Sequence, residues 1–132
     1  MKKEFIPYEQ ALALKELGFD EPCFGYYLDE KLNIFHSTSV NDRINSKTIE
    51  IFRSDVITSP TFSQAFRFFR EKYNLIPNIH SIYSDETHTE IKFWFWFGNY
   101  EDDSDDEVFY GTYEESELEC LKKLIQIVKE QK

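Results

Sequence analysis

The chain has 132 residues, the length of one ordinary domain, and 41% hydrophobic with 17% aromatic residues is enough for a packed core that needs no covalent staple. Its 25 acidic and 15 basic residues leave a formal charge of −10, which repels nucleic-acid phosphates and anionic membrane surfaces and argues against direct nucleic-acid binding. Two cysteines, Cys23 and Cys120, make neither a disulfide framework nor a zinc ligand set, so free, buried thiols are expected.

The N-terminus, Met1-Lys2-Lys3, leads into no apolar run of signal-peptide length, and nowhere do 18 apolar residues follow one another. A soluble, cytoplasmic protein with no membrane partner is expected. The spacing of Tyr8, Ala11, Leu14 and Leu17 predicts a helix over 7–17, with Pro7 at its first position and Gly18 as its stop. Phe19 is placed to fold back on Leu14 beyond that glycine. The runs 23–28 and 32–36 are rich in β-formers and predict a hairpin around Asp29-Glu30-Lys31. Periodicity fails over 37–59, where Ile49-Glu50-Ile51-Phe52 is the one candidate strand.

Phe62, Ala65, Phe66, Phe69 and Tyr73 fall on one stripe and predict a second helix, with Ser59-Pro60 as cap and first position and Asn74 as its left-handed end. Two further β-runs, 79–83 and 90–98, predict a second hairpin, and Val108-Phe109-Tyr110 a short fifth strand. Thr112-Tyr113-Glu114-Glu115 is a capping box for a last helix whose buried stripe is Leu118, Leu121, Leu124, Ile125 and Val128. The order α-β-β-α-β-β-α reads as an α+β fold, an antiparallel sheet of four to five strands with three helices, in a single domain over 1–132. Its C-terminal half reads as an α-β-β-α unit.

Residues 60–73, 112–125 and 17–23, which touch all three predicted helices, resemble small uncharacterised proteins of gut Bacteroidota and of their phages or integrated elements. The resemblance implies a genomic setting and assigns no catalytic residue.

Site chemistry is sparse. His36, His80 and His88 are the only neutral-pH acid/base groups, and with Asp85 or Glu90 they are candidates for a metal or hydrolytic site. A tight turn at Ser84 sets His80 opposite His88; a turn centred on Asp85-Glu86 does not. No Gly-x-Ser-x-Gly elbow is present, and Cys120 follows four glutamates, a setting that works against a reactive thiolate. Four scattered glycines make no phosphate cradle, and no cofactor pattern is present. The acidic run 101–107 has Val108 where a calcium loop begun at Asp103 needs glycine, so a solvated loop is expected.

Two features point to association. In Ile91-Lys92-Phe93-Trp94-Phe95-Trp96-Phe97 one strand face is wholly apolar and the other presents Lys92, Trp94 and Trp96. The two tryptophans are either a second buried face or a binding anchor, and Phe68, off the main stripe of its helix, is either an exposed contact or part of a wider buried face. Asp102, Asp103, Asp105 and Asp106 are candidates for contact with a basic protein. The resulting expectation is a non-enzymatic accessory protein with a protein partner or self-association. The alternatives are an acidic mimic of nucleic acid that blocks a basic groove, and a small hydrolase or ligand-binding enzyme built on histidine and carboxylate.

Overall fold

In the computed structural model, which describes residues 2–34, 56–83, 86–87, 89–99 and 108–131, a short 3-10 helix (Lys2–Glu4) leads into helix α1, Tyr8–Glu16. Pro7 is its extended N-cap, one position earlier than expected. At the other end Gly18 takes φ 93°, Phe19 N–H bonds to the Leu14 carbonyl at 2.9 Å and Gly18 N–H to that of Lys15 at 3.0 Å. This closure satisfies two terminal carbonyls and brings the buried Phe19 and Leu14 together in sequence register.

Strands β1, Gly25–Leu28, and β2, Lys31–Ile34, form the first hairpin. The turn holds only Asp29 and Glu30, both at positive φ (51° and 64°), the geometry that matches the twist of a two-residue hairpin. β3, Ile57–Ser59, pairs with the other edge of β1, in the order β2-β1-β3. Sequence periodicity gave no sign of this strand. Its Ser59 is not a helix cap: it pairs with Gly25, and its hydroxyl donates to the Ile6 carbonyl at 3.1 Å. Tyr27 donates its phenol to the same carbonyl at 2.7 Å, while Ile6 N–H reaches the Pro60 carbonyl. The N-terminal segment is thereby sewn to the three-stranded sheet, and α1 packs on β3.

Helix α2, Phe62–Tyr73, begins two residues later than Ser59-Pro60 implies, with Thr61 Oγ1 accepting from Gln64 N–H at 3.2 Å. Asn74 ends it at φ 55°, as expected. The chain divides within this helix into two units, Met1–Ala65 and Phe66–Lys132.

In the second unit β4, Pro77–Tyr83, pairs antiparallel with β5, Ile91–Phe97. Tyr110 adds a single bridge to β5 at Phe93, through bonds of 2.9 and 2.7 Å, in place of a full fifth strand. The strands therefore form two antiparallel sheets, of three and two strands, instead of one sheet of four to five. Both edges of β1 are already taken by β2 and β3. The coarser expectation, α+β with three helices, holds among the described residues.

Helix α3, Tyr113–Gln131, starts on the Thr112 hydroxyl, which accepts from Glu115 N–H at 3.1 Å. It packs on β4 and β5. Leu121, Leu124, Ile125 and Val128 are buried as expected, together with Cys120, Ile127 and Ser116, whereas Leu118 of the expected stripe is only half-buried. Ser116 is fully buried and its hydroxyl has no hydrogen-bond partner among the described residues. Ser116→Ala removes that desolvated oxygen and improves helix propensity, and should raise stability by about 0.5–2 kcal/mol, read as a higher urea midpoint.

Candidate functional site

The face of the second hairpin follows from its register. Pairs Asn78–Trp96, His80–Trp94 and Ile82–Lys92 put these six residues on one side of the ribbon, and Ile79–Phe95 and Ser81–Phe93 put theirs on the other. The phenylalanine side is the one α3 takes: the Phe93 ring meets Tyr113 edge-on at 6.0 Å, and Phe95 stacks on Tyr110 at 6.0 Å and 9°. Among the described residues the tryptophan side shows no such ring contact with α3 or with Tyr110. Trp96 is 43% exposed and Ile82 46%, His80 is exposed, and Trp94 and Lys92 are half-buried.

On this side three flat rings form a group. His80 stacks with Trp94, its cross-strand neighbour, at 5.1 Å and 26°, and with Trp96, its diagonal neighbour, at 5.8 Å and 15°. Trp96 Nε1 donates to His80 Nε2 at 2.5 Å. Indole nitrogen is only a donor, so His80 Nε2 is the acceptor in this bond. His80 Nε2 is thus engaged by the Trp96 indole, a contact that orients both rings. Lys92 pairs with Glu90 at 2.9 Å, an exposed ion pair of little energetic weight.

The strand that carries the group is fixed at its start by Asn99, which accepts from Ile76 N–H at 3.2 Å and donates to the Asn74 carbonyl. Among the described residues every large exposed hydrophobic side chain lies between Ile76 and Tyr113, in the second unit.

Of the other candidates, Phe68 is not a surface contact. It is 7% exposed, edge-on to Phe69 at 5.3 Å and to Tyr73 at 5.7 Å, so it widens the buried face of α2. His80 is paired with Trp94, a register that corrects both turn positions weighed for this hairpin; β4 begins two residues earlier than expected and β5 is one residue shorter at each end. His36, Asp85, His88 and the acidic run with Asp102, Asp103, Asp105 and Asp106 lie outside the described residues. Among the described residues no three His, Cys, Asp or Glu side chains converge as metal ligands.

Cys23 and Cys120 are both free and buried. Burial pushes the Cys120 thiol up to about 12, with the Glu117 carboxylate adding to the shift. An unfolded thiol ionises near pH 8.5, so unfolding releases a proton between there and about 12; the stabilisation is complete below that window and is lost as pH rises through it. At pH 8 a thiol reagent should leave Cys120 unmodified in the native protein and label it at once in urea; rapid native labelling would contradict the burial.

Sequence reasoning had Trp94 and Trp96 but missed His80 as their third ring and Ile82 as the apolar end of the same face. Alternation puts Asn78, His80 and Ile82 on one side of β4, but only the register brings that side against the tryptophans. No helix among the described residues is long and apolar enough to cross a membrane. No family model, curated protein or solved structure matches the chain.

Proposed function

We propose that this is a non-enzymatic accessory protein that binds another protein through the His80, Trp94 and Trp96 face of its second hairpin, in the cytoplasm of a bacterium or of a phage-infected cell. The observation that carries the reading is Trp96, a large indole 43% exposed on the side of the ribbon away from α3. It is held in place by a cross-strand imidazole instead of by burial.

Such an arrangement suits recognition. Trp and Tyr lose little rotamer freedom on binding, and an indole already oriented by a hydrogen bond loses less. Indole faces attract Arg and Lys, and a net charge of −10 draws basic proteins and repels acidic ones. The partner expected is therefore a protein surface with exposed Arg or Lys beside apolar side chains.

The test combines quenching with cross-linking. Acrylamide should quench the free protein strongly at Trp96. A photo-cross-linker at position 82 should capture a basic protein from a bacterial lysate, and Trp96→Ala should abolish the capture while changing stability by less than about 1 kcal/mol. Weak quenching, or a stability loss of about 3–5 kcal/mol on Trp96→Ala, would make the indole a core residue and end the reading.

A further inference from the structure

The hydrogen-bond phase of the second hairpin identifies which backbone groups of β4 face away from β5. Gly98 N–H bonds to the Ile76 carbonyl at 2.9 Å, so Ile76 and Gly98 are a hydrogen-bonded pair. In an antiparallel ladder such pairs alternate, which makes Asn78–Trp96, His80–Trp94 and Ile82–Lys92 the next bonded pairs. The intervening residues turn their N–H and C=O groups outward. Phe93 checks this independently, since it is one of them and its outward groups bond to Tyr110. On β4 the outward residues are Pro77, Ile79, Ser81 and Tyr83, and Ile79 and Ser81 take no hydrogen bond on that side among the described residues.

Beyond its first residue this edge lacks the usual guards. Natural edge strands are kept from pairing by a charged residue, a bulge or short length. β4 is seven residues long, pairs in unbroken register, and lies in a stretch, 73–84, with no formal charge in a chain of net charge −10. Its one guard is Pro77 at the first position, which withholds a single outward N–H at the end of the strand and leaves those of Ile79 and Ser81 in place.

We infer that a second copy of this chain adds to the open edge of β4, antiparallel, about a two-fold axis at His80; the inference rests on the reading of the second unit as an association surface. The strand is self-complementary in that register. Turned about His80, Ile79 meets Ser81 of the second copy and Pro77 meets Tyr83 of the second copy. Both pairs join outward residues, so full overlap of the strands coincides with correct hydrogen-bond phase. Each Ile79–Ser81 pair supplies two backbone bonds, and the axis repeats it. The edge is neutral, so identical strands meet without like charges facing each other, whereas a charged foreign strand would find nothing there to select it. The two tryptophan faces then join on one side of a four-stranded sheet. Away from the edge, two chains of charge −10 repel, and this repulsion is screened by salt.

Sedimentation velocity of the full chain at low and high sodium chloride tests the inference. The expected result is a reversible monomer–dimer equilibrium that tightens as salt rises, the reverse of what a basic partner would show. Ser81→Pro removes an outward N–H without touching the bonds to β5 and should weaken the dimer roughly ten- to a hundredfold, counted over both copies. His80→Glu, which leaves the backbone intact and sets two carboxylates face to face at the axis, should also weaken it, with both variants still melting cooperatively. A monomer at every salt concentration, or a dimer indifferent to both substitutions, overturns the inference. If the chain stays monomeric while Trp96→Ala still abolishes cross-linking to another protein, the edge inference fails and the proposed function stands. A salt-tightened dimer sensitive to both substitutions, with no foreign protein cross-linked, supports the inference and removes the foreign partner.

Discussion

Phe69→Ala should destabilise the protein by about 3–5 kcal/mol, the range for removing a fully buried aromatic ring. Phe69 has no exposed surface, and its ring lies 5.3 Å from that of Phe68 and 6.0 Å from that of Tyr73. Its carbonyl also accepts from Leu75 N–H at 3.2 Å, in the turn by which Asn74 passes the chain from α2 towards β4. Truncation leaves a cavity beneath that turn, and the neighbouring Phe68 and Tyr73 rings each lose a ring contact. In urea the midpoint should fall with little change in slope, because the surface exposed on unfolding barely changes. Phe68→Ala should follow in the same direction with a smaller loss, since its ring keeps some exposure and the Lys72 ammonium, 5.4 Å from its centroid, lies over it. A loss below about 1 kcal/mol for Phe69→Ala would mean that α2 is not packed as described.

Gly25→Ala should destabilise the first unit strongly for a one-carbon change. A Cβ at position 25 would lie 2.6 and 2.7 Å from two carbons of the Phe5 ring and 3.0 Å from the Ser59 carbonyl oxygen. In an ordinary strand Ala is favoured over Gly, because it lowers the entropy of the unfolded chain. Here that gain is overwhelmed. Phe5 is itself buried, and the ring is the plate that the N-terminal segment lays on β1. Either the ring leaves or β1 separates from β3, at a cost of about 1–3 kcal/mol or more. A double-mutant cycle checks the cause: in a Phe5→Ala background the added methyl should cost much less, because its closest obstruction is gone. Equal costs in both backgrounds would shift the blame to the Ser59 carbonyl and the strand pairing.

The elements legible from the chain alone were those whose signals are local. Gly18 and Asn74 mark helix ends because left-handed backbone suits few other residues, and both positions take it. Thr112 marks the start of α3 because its hydroxyl satisfies a backbone donor three residues on, whatever surrounds it. The stripes of α2 and α3 were legible because a 3.6-residue period survives any packing arrangement. The second hairpin was legible as a pair of strands for the same reason, with a period of two.

Only tertiary structure decided the rest, because those outcomes depend on partners far away in sequence. Ser59 before Pro60 has the local form of a helix cap, but Gly25 and the Ile6 carbonyl, 34 and 53 positions away, recruit it into β3. Phe68 and Trp96 are alike to a hydrophobicity pattern; Phe68 is buried against the Phe69 and Tyr73 rings, whereas Trp96 is 43% exposed because α3 takes the phenylalanine side of the ribbon and not the tryptophan side. His80 became part of the candidate site through a register that sets it across from Trp94, and register is a property of two strands. The division of the strands into two sheets has the same origin, since which edges remain free is known only after every strand has chosen its neighbour.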